Sequence, residues 1–272
     1  MGMLALRDRI GVSTLCLRSI PPAEAIDRTL ETGFSAFEFT PITYGGPEAF
    51  SQTEREDLRR RLEAFKGVTV HSSGMGGANI CSGDPAHREQ SRQRYMELAR
   101  FARDVGADVL TFHPGQKSSG GLSEEKVRAE NIAFGKTLLA TMGDREMKLG
   151  YELFDALVAR EIGSPNFGML FDIGHASRRG PEVDTDDVME MINKLADQIV
   201  QFHVHGVGGP DKTDHLPFSE NIWLDYGRII PHIEGIGFSG PLILEIGIRT
   251  ESWSENLKDC AAARDALVQA AD

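Results

Sequence analysis

The sequence predicts an α/β fold, a single (β/α)8 TIM barrel over residues 1–272. Eight apolar runs alternate with helix patterns at a spacing of roughly thirty residues, the mark of a parallel sheet with helical crossovers. Six consecutive runs end in histidines and acids, and only a closed barrel brings six strand ends to one centre. The length of 272 residues suits one large core. A doubly wound open sheet is the alternative, but such a sheet gathers its ligand at one switch point.

The elements follow in order. The first strand is expected at 10–17, then Pro21 and Pro22 open a helix at 23–32 that Gly33 closes. The strand at 36–40 carries Glu38, and a Gly-Pro loop at 41–47 leads to a charged helix at 52–65. The third strand, 67–73, carries His71; a long Gly-rich loop at 74–85 and a helix at 86–105 follow, with Tyr95, Leu98, Phe101 and Ala102 on one face. The fourth strand, 108–115, ends in Phe112-His113-Pro114-Gly115, and a loop at 118–121 precedes a helix from 123 to about 142.

The fifth strand, 148–154, carries Glu152, with a helix from 155 to about 162. The sixth, 167–175, reads FGMLFDIGH, an apolar run that stops at Asp172 with His175 three residues on. Asp184 or Thr185 caps a helix at 184–197, whose early acids suit the helix dipole. The seventh strand, 199–207, carries His203 and His205 and leads into a loop at 208–222 with Asp214 and His215. A helix at 225–233, a strand at 240–246 carrying Glu245 and a helix near 251–269 end the chain.

Composition limits the function. Hydrophobic residues make up 40% and charged residues 26%, a globular balance. The formal net charge of −12 argues against non-specific binding to a phosphate backbone, which depends on Lys and Arg releasing counterions. Nucleic acid is therefore an unlikely partner. Three scattered cysteines, Cys16, Cys81 and Cys260, lack metal spacing and suit a reducing compartment. MGMLALRDRIGV has no long apolar segment, and no run approaches the roughly 20 apolar residues that span a bilayer. A cytoplasmic protein without membrane contact is expected.

The inward candidates are His71, His113, Glu152, Asp172, His175, His203, His215 and Glu245. Imidazole and carboxylate without thiolate suit Zn, Mn, Fe, Co or Mg as a divalent metal cofactor. His203 is expected to face inward and His205 away, so that only one is a ligand. His87 and His232 fall in helix patterns and read as surface or packing residues. Glu38 reads equally as a chemical group or as a paired acid at a strand end. Arg249 and Trp253 stand where they could cover a substrate, and the loops at 74–77 and 118–121 where backbone amides could cradle a phosphate.

The ordered set His113-Pro114-Gly115, Tyr151-Glu152, Asp172-Ile173-Gly174-His175, His203-Val204-His205, Asp214-His215-Leu216-Pro217 and Gly240-Pro241-Leu242-Ile243-Leu244-Glu245 resembles the xylose isomerase-like TIM barrel superfamily. That group holds sugar isomerases and epimerases and the type IV apurinic endonucleases (AP endonuclease family 2). The resemblance covers nearly the whole chain. In the epimerase branch it implies one divalent metal held by Glu152, Asp172, His203 and Glu245, with His175 binding substrate beside it. Glu152 and Glu245 are then the catalytic pair that moves a proton at the carbon next to the carbonyl. That branch also carries an arginine soon after the His203 strand, where this chain has Lys212 and no arginine before Arg228. The endonuclease branch implies three zincs, and His71, His113, His175 and His215 match four further ligands. It has an acid two residues before His215, where this chain has Thr213, with Asp214 one place later.

The expected function is a divalent-metal-dependent isomerase or epimerase acting on a sugar, polyol or related hydroxy-carbonyl compound, with specificity in the loops at 41–50, 74–85, 116–122 and 208–222. The alternatives are an apurinic endonuclease-type phosphodiesterase, a sugar-type dehydratase or lyase, and a non-catalytic barrel subunit of a larger assembly. The expected partner is a small, sugar-like substrate, and a homo-oligomer is compatible with the resemblance.

Overall fold

The computed structural model describes residues 4–73, 77–117, 121–143, 146–152, 156–180, 182–247 and 252–271. Its strands, in chain order, are β1 Ile10–Ser13, β2 Ala36–Phe39, β3 Gly67–His71, β4 Val109–Phe112, β5 Lys148–Glu152, β6 Phe167–Asp172, β7 Ile199–Val204, β8 Gly206–Gly208, β9 Thr213–Leu216 and β10 Leu242–Leu244. Eight of them pair in parallel into a closed barrel in the order β1-β10-β7-β6-β5-β4-β3-β2. The open-sheet alternative is thereby excluded. β8 and β9 form a separate antiparallel pair within the loop after β7.

Every residue of β6 is buried, as a strand covered on both faces requires. Outside the barrel lie the helices Pro22–Glu31, Gln52–Leu62, Pro85–Val105, Glu124–Met142, Ala156–Ile162, Thr185–Leu195, Tyr226–Gly235 and Trp253–Ala271. Their starts are fixed locally: Ser51 with Glu54 and Asp184 with Asp187 form capping boxes, and Asp84 and Ser123 cap by side chain. Buried Arg55 ties two helices together, donating to Glu97 at 2.7 Å and Asp104 at 3.1 Å. Arg9, 2% exposed, plugs the N-terminal end of the barrel by donating to the Phe238 carbonyl at 2.8 Å and pairing with Glu234.

The strands stop earlier than their apolar runs. β1 ends at Ser13, whose hydroxyl accepts from Leu15 N–H and turns residues Thr14–Leu17 into a 3-10 helix. β6 ends at Asp172, and His175 sits in the short helix Ile173–Ser177 rather than on the strand. A short helix, Leu6–Arg9, precedes the first strand and was not expected. No helix among the described residues is long and apolar enough to cross a membrane.

The interior of the barrel is polar toward its C-terminal end. Thr69 and His71 on β3, Thr111 on β4, Gln201 and His203 on β7 and Glu38 on β2 are all essentially inaccessible to solvent. They bond to one another: Thr69 Oγ1 donates to Glu38 Oε2 at 3.3 Å, and His71 Nδ1 lies 2.9 Å from Thr111 Oγ1. Residues two apart on a strand share a face, so each such pair stacks along the barrel axis.

Candidate metal centre

All eight candidate residues meet at this end of the barrel, His71 and His203 being part of the polar layer itself. Glu152, at the end of β5, receives His113 Nε2 at 2.6 Å on Oε2 and His175 Nδ1 at 2.7 Å on Oε1. Glu245, one residue past β10, lies 2.9 Å from His203 Nδ1. His71 Nε2 stands 3.8 Å from both Glu152 and Glu245, so the two acids, from the non-adjacent strands β5 and β10, converge on one ring nitrogen. Asp172 Oδ2 is 3.9 Å from His203 Nδ1 and 3.5 Å from His175 Nδ1. His215 donates Nδ1–H to the Glu245 carbonyl at 2.9 Å, which leaves its Nε2 facing His175 Nε2 at 3.3 Å.

One expectation is corrected. His205 does not turn away: it continues the Gln201, His203 series on the same face and is fully buried, with Nε2 3.0 Å from Asp172 Oδ1. Its Nδ1 accepts the His215 N–H at 2.9 Å, which holds His215 in a left-handed conformation at φ 54°. Gly174 makes room for this ring, since a Cβ there would lie 1.9 Å from His205 Cε1. The signal for His205 was its spacing of two from His203. Lys212, where the epimerase branch has an arginine, points its ammonium away from the site. Its Nζ donates to the carbonyls of Ser177 at 2.8 Å and Val183 at 2.7 Å and lies 4.7 Å from the centre of the Trp223 ring.

Other expectations fall elsewhere. Asp214, one place late for the endonuclease pattern, nonetheless reaches His175 Nε2 at 3.4 Å and pairs with Arg178, while Thr213 is exposed. Trp253 packs against the core with the Arg28 guanidinium 5.5 Å from its ring. Arg249 and residues 74–76 and 118–120 of the proposed phosphate loops lie outside the described residues. His87 and His232 sit in outer helices, as expected.

The electrostatics follow from four buried carboxylates among six imidazoles. Burial opposes the charge on Glu152, yet His113, His175 and His71 hold its carboxyl well below the usual range. Glu245, Asp172 and Glu38 are likewise held low against burial, by His203, His205 and His203 respectively. The same attraction overcomes burial at His203, raised well above its ordinary value by Glu245 and Glu38, at His113, raised by Glu152, and at His175, raised to about 9. Burial instead lowers His71 and His215. The site is thus an anionic cage whose charge is balanced by protons or by a cation.

The donors fit a divalent cation. Their atoms fall into overlapping triads within 4.8 Å, among them Asp172–His203–Glu245, Glu152–Asp172–His175, His71–His113–Glu152 and His175–His205–His215. His203 Nδ1 and His71 Nε2 are buried yet make no hydrogen bond, although each has a polar neighbour. Buried polar atoms are rarely left so, and atoms that converge without bonding are what a cation requires. A cavity of about 410 Å³ opens onto the cluster, lined by Leu15, Arg18, Ser73, His113, His175 and Glu245 with His215 and Gly247. That is room for a small ligand.

The family model described as xylose isomerase-like TIM barrel matches residues 26–266. An uncharacterized protein of Methanocaldococcus jannaschii is 20% identical over 95% of this chain and 88% of its own length. Among solved structures, a D-tagatose 3-epimerase-like protein superposes with a TM-score of 0.71 at 20% identity, covering 96% of this chain and 98% of that one. The IolI protein with a bound zinc atom superposes at 0.76 with 11% identity, covering 96% and 98%. These likenesses establish the fold.

Proposed function

This chain belongs to the xylose isomerase-like TIM barrel family, and on that premise we propose that it is a divalent-metal-dependent isomerase or epimerase of a small sugar, polyol or related hydroxy-carbonyl compound. One observation carries the reading: the carboxylates of Glu152 and Glu245, both held low in pKa, come from separate strand ends and converge on His71, each 3.8 Å from its Nε2. Pure binding does not call for such a pair of acids, whereas moving a proton between the faces of one carbon does. The D-tagatose, D-psicose and L-ribulose 3-epimerase names among the structural neighbours agree with this chemistry.

Glu152, Asp172, His203 and Glu245 would hold the cation. When bound, it draws electron density from a carbonyl oxygen and so makes the adjacent C–H bond more acidic. One glutamate takes that proton and the other delivers one to the product. His175 and His113, on the cavity wall, bind the substrate hydroxyls, and Arg18 stands at the same wall. The three cysteines are free and buried, which supports a cytoplasmic setting. Incubation of the metal-loaded protein with ketoses in heavy water tests the reading. Deuterium at the carbon beside the carbonyl is expected, and turnover without solvent exchange or metal requirement would overturn it.

A second reading, the three-metal phosphodiesterase, is favoured by one feature. His71 and His113 join Glu152 in a second donor group, and His175, Asp214 and His215 gather in a third. Three zincs per chain with cleavage of abasic DNA would establish it; one metal with ketose exchange would exclude it.

A further inference from the structure

We propose that Glu38 is a positioning residue of the metal centre, holding the His203 ring so that Nδ1 faces Asp172 and Glu245. The proposal rests on the reading of those three residues as cation ligands. Glu38 lies on β2 and His203 on β7, with β1 and β10 between them in the barrel, so their contact crosses the interior. Both are inaccessible to solvent. Glu38 Oε2 lies 3.0 Å from His203 Nε2 and accepts from Gln201 Nε2 at 2.6 Å and Thr69 Oγ1 at 3.3 Å.

The hydrogen bonds around the His203 ring decide which nitrogen is left for a cation. Gln201 Nε2 also lies 3.1 Å from His203 Nε2 but makes its shorter bond to Glu38, and an ionised carboxylate only accepts, so the ring nitrogen meets Glu38 with a hydrogen of its own. In a cation-bound ring that keeps its Nε2 hydrogen on Glu38, only Nδ1 offers a lone pair. That nitrogen is 2.9 Å from Glu245 Oε2 and makes no hydrogen bond. A carboxylate behind a ligating imidazole fixes the tautomer and the ring orientation and makes the nitrogen a better donor. Packing alone does not account for Glu38. Its Oε1 is buried without a hydrogen bond, a cost that an apolar side chain of similar size would avoid.

The test uses the full chain and zinc alone. Glu38→Leu and Glu38→Met remove the acceptor at similar volume, and Glu38→Gln keeps an oxygen that can accept from Nε2. Zinc affinity is read by competition with a chromophoric chelator. Ring orientation is read from imidazole ¹⁵N spectra of the protein loaded with ¹¹³Cd, and thermal melts of the metal-free proteins separate loss of folding from loss of binding. Wild type binds zinc, the folded apolar variants bind about 10–100-fold more weakly, and Glu38→Gln restores much of the difference. Cadmium coupling falls on His203 Nδ1 in wild type and Glu38→Gln, and is lost or moved to Nε2 in the apolar variants. An apolar variant with wild-type affinity and Nδ1 coupling overturns the proposal. So does loss of one whole bound equivalent in Glu38→Gln, which would make Glu38 itself a ligand. A wild-type chain that binds no zinc overturns the ligand reading and this inference with it, whereas unchanged variants of a zinc-binding wild type overturn this inference alone.

Discussion

Asp172 Oδ1 accepts the backbone N–H of His175 at 2.7 Å, so the acid that ends β6 also caps the helical turn carrying the histidine. The spacing of three in Asp172-Ile173-Gly174-His175 is therefore a capping geometry as well as a ligand geometry. One oxygen serves the turn and the His205 ring, and the other faces His203 and His175.

This double role separates two substitutions. Asp172→Asn keeps a capping oxygen and loses the charge, while Asp172→Ala loses both. Both should lose most of the bound metal, read by elemental analysis, and the alanine variant should be less stable than the asparagine variant by about 1 kcal/mol. Equal stability of the two would show that the cap contributes nothing.

Gly174 tests the close packing of the motif. Gly174→Ala drives its Cβ into His205, whose ring supports both Asp172 and the His215 backbone. A loss of about 1–3 kcal/mol in urea unfolding is expected, together with weaker zinc binding. Gly180→Ala is the control, because the nearest atom to its Cβ would be Val183 Cγ2 at an ordinary 3.5 Å. If the two variants behave alike, the packing argument fails.

The barrel was legible because each apolar run recurs with its helix, and the run itself reports burial. Where pairing stops was not legible. Residues 173–175 continue the sixth run, but the Asp172 side chain caps a turn there. The centre was readable as a set, since strand-end acids and histidines converge in any closed barrel. Its cross-barrel contacts were not: Glu38 and His203 are 165 positions apart, and only the closed geometry makes them partners. The β8–β9 pair escaped notice because its strands are short and mostly polar or glycine.

The pH dependence has a definite sign. Burial disfavours the charged His175 ring, but Glu152 and Asp172 raise it to about 9 from 6.5 in the metal-free protein. Its contribution to stability is fully present below 6.5 and is lost as the pH rises through about 9. A cation bound beside Glu152 and Asp172 competes with that proton. Apparent zinc affinity should therefore rise with pH between 6.5 and 9, by about tenfold per unit for each proton displaced. Chelator competition at several pH values measures it, and a flat profile would mean that His175 releases no proton on binding.

Glu152 and Glu245 are the two groups placed to move the proton. Glu152→Gln and Glu245→Gln preserve shape and remove the base, but each also weakens a ligand position. Loss of activity alone therefore proves nothing, and metal content must be measured in the same sample. Once a ketose that exchanges deuterium is found, wild type should label the carbon beside the carbonyl. A Glu245→Gln protein that retains its metal should lose about 10²–10⁴-fold in exchange rate, the usual worth of a positioned acid or base. The two acids reach the site from the non-adjacent strands β5 and β10, and each is expected to serve one face of the carbon. In single-turnover experiments the two variants should then differ in which epimer still exchanges its proton. Identical loss for both epimers in both variants would show that the glutamates act only through the bound ion, and the two-face mechanism would fall.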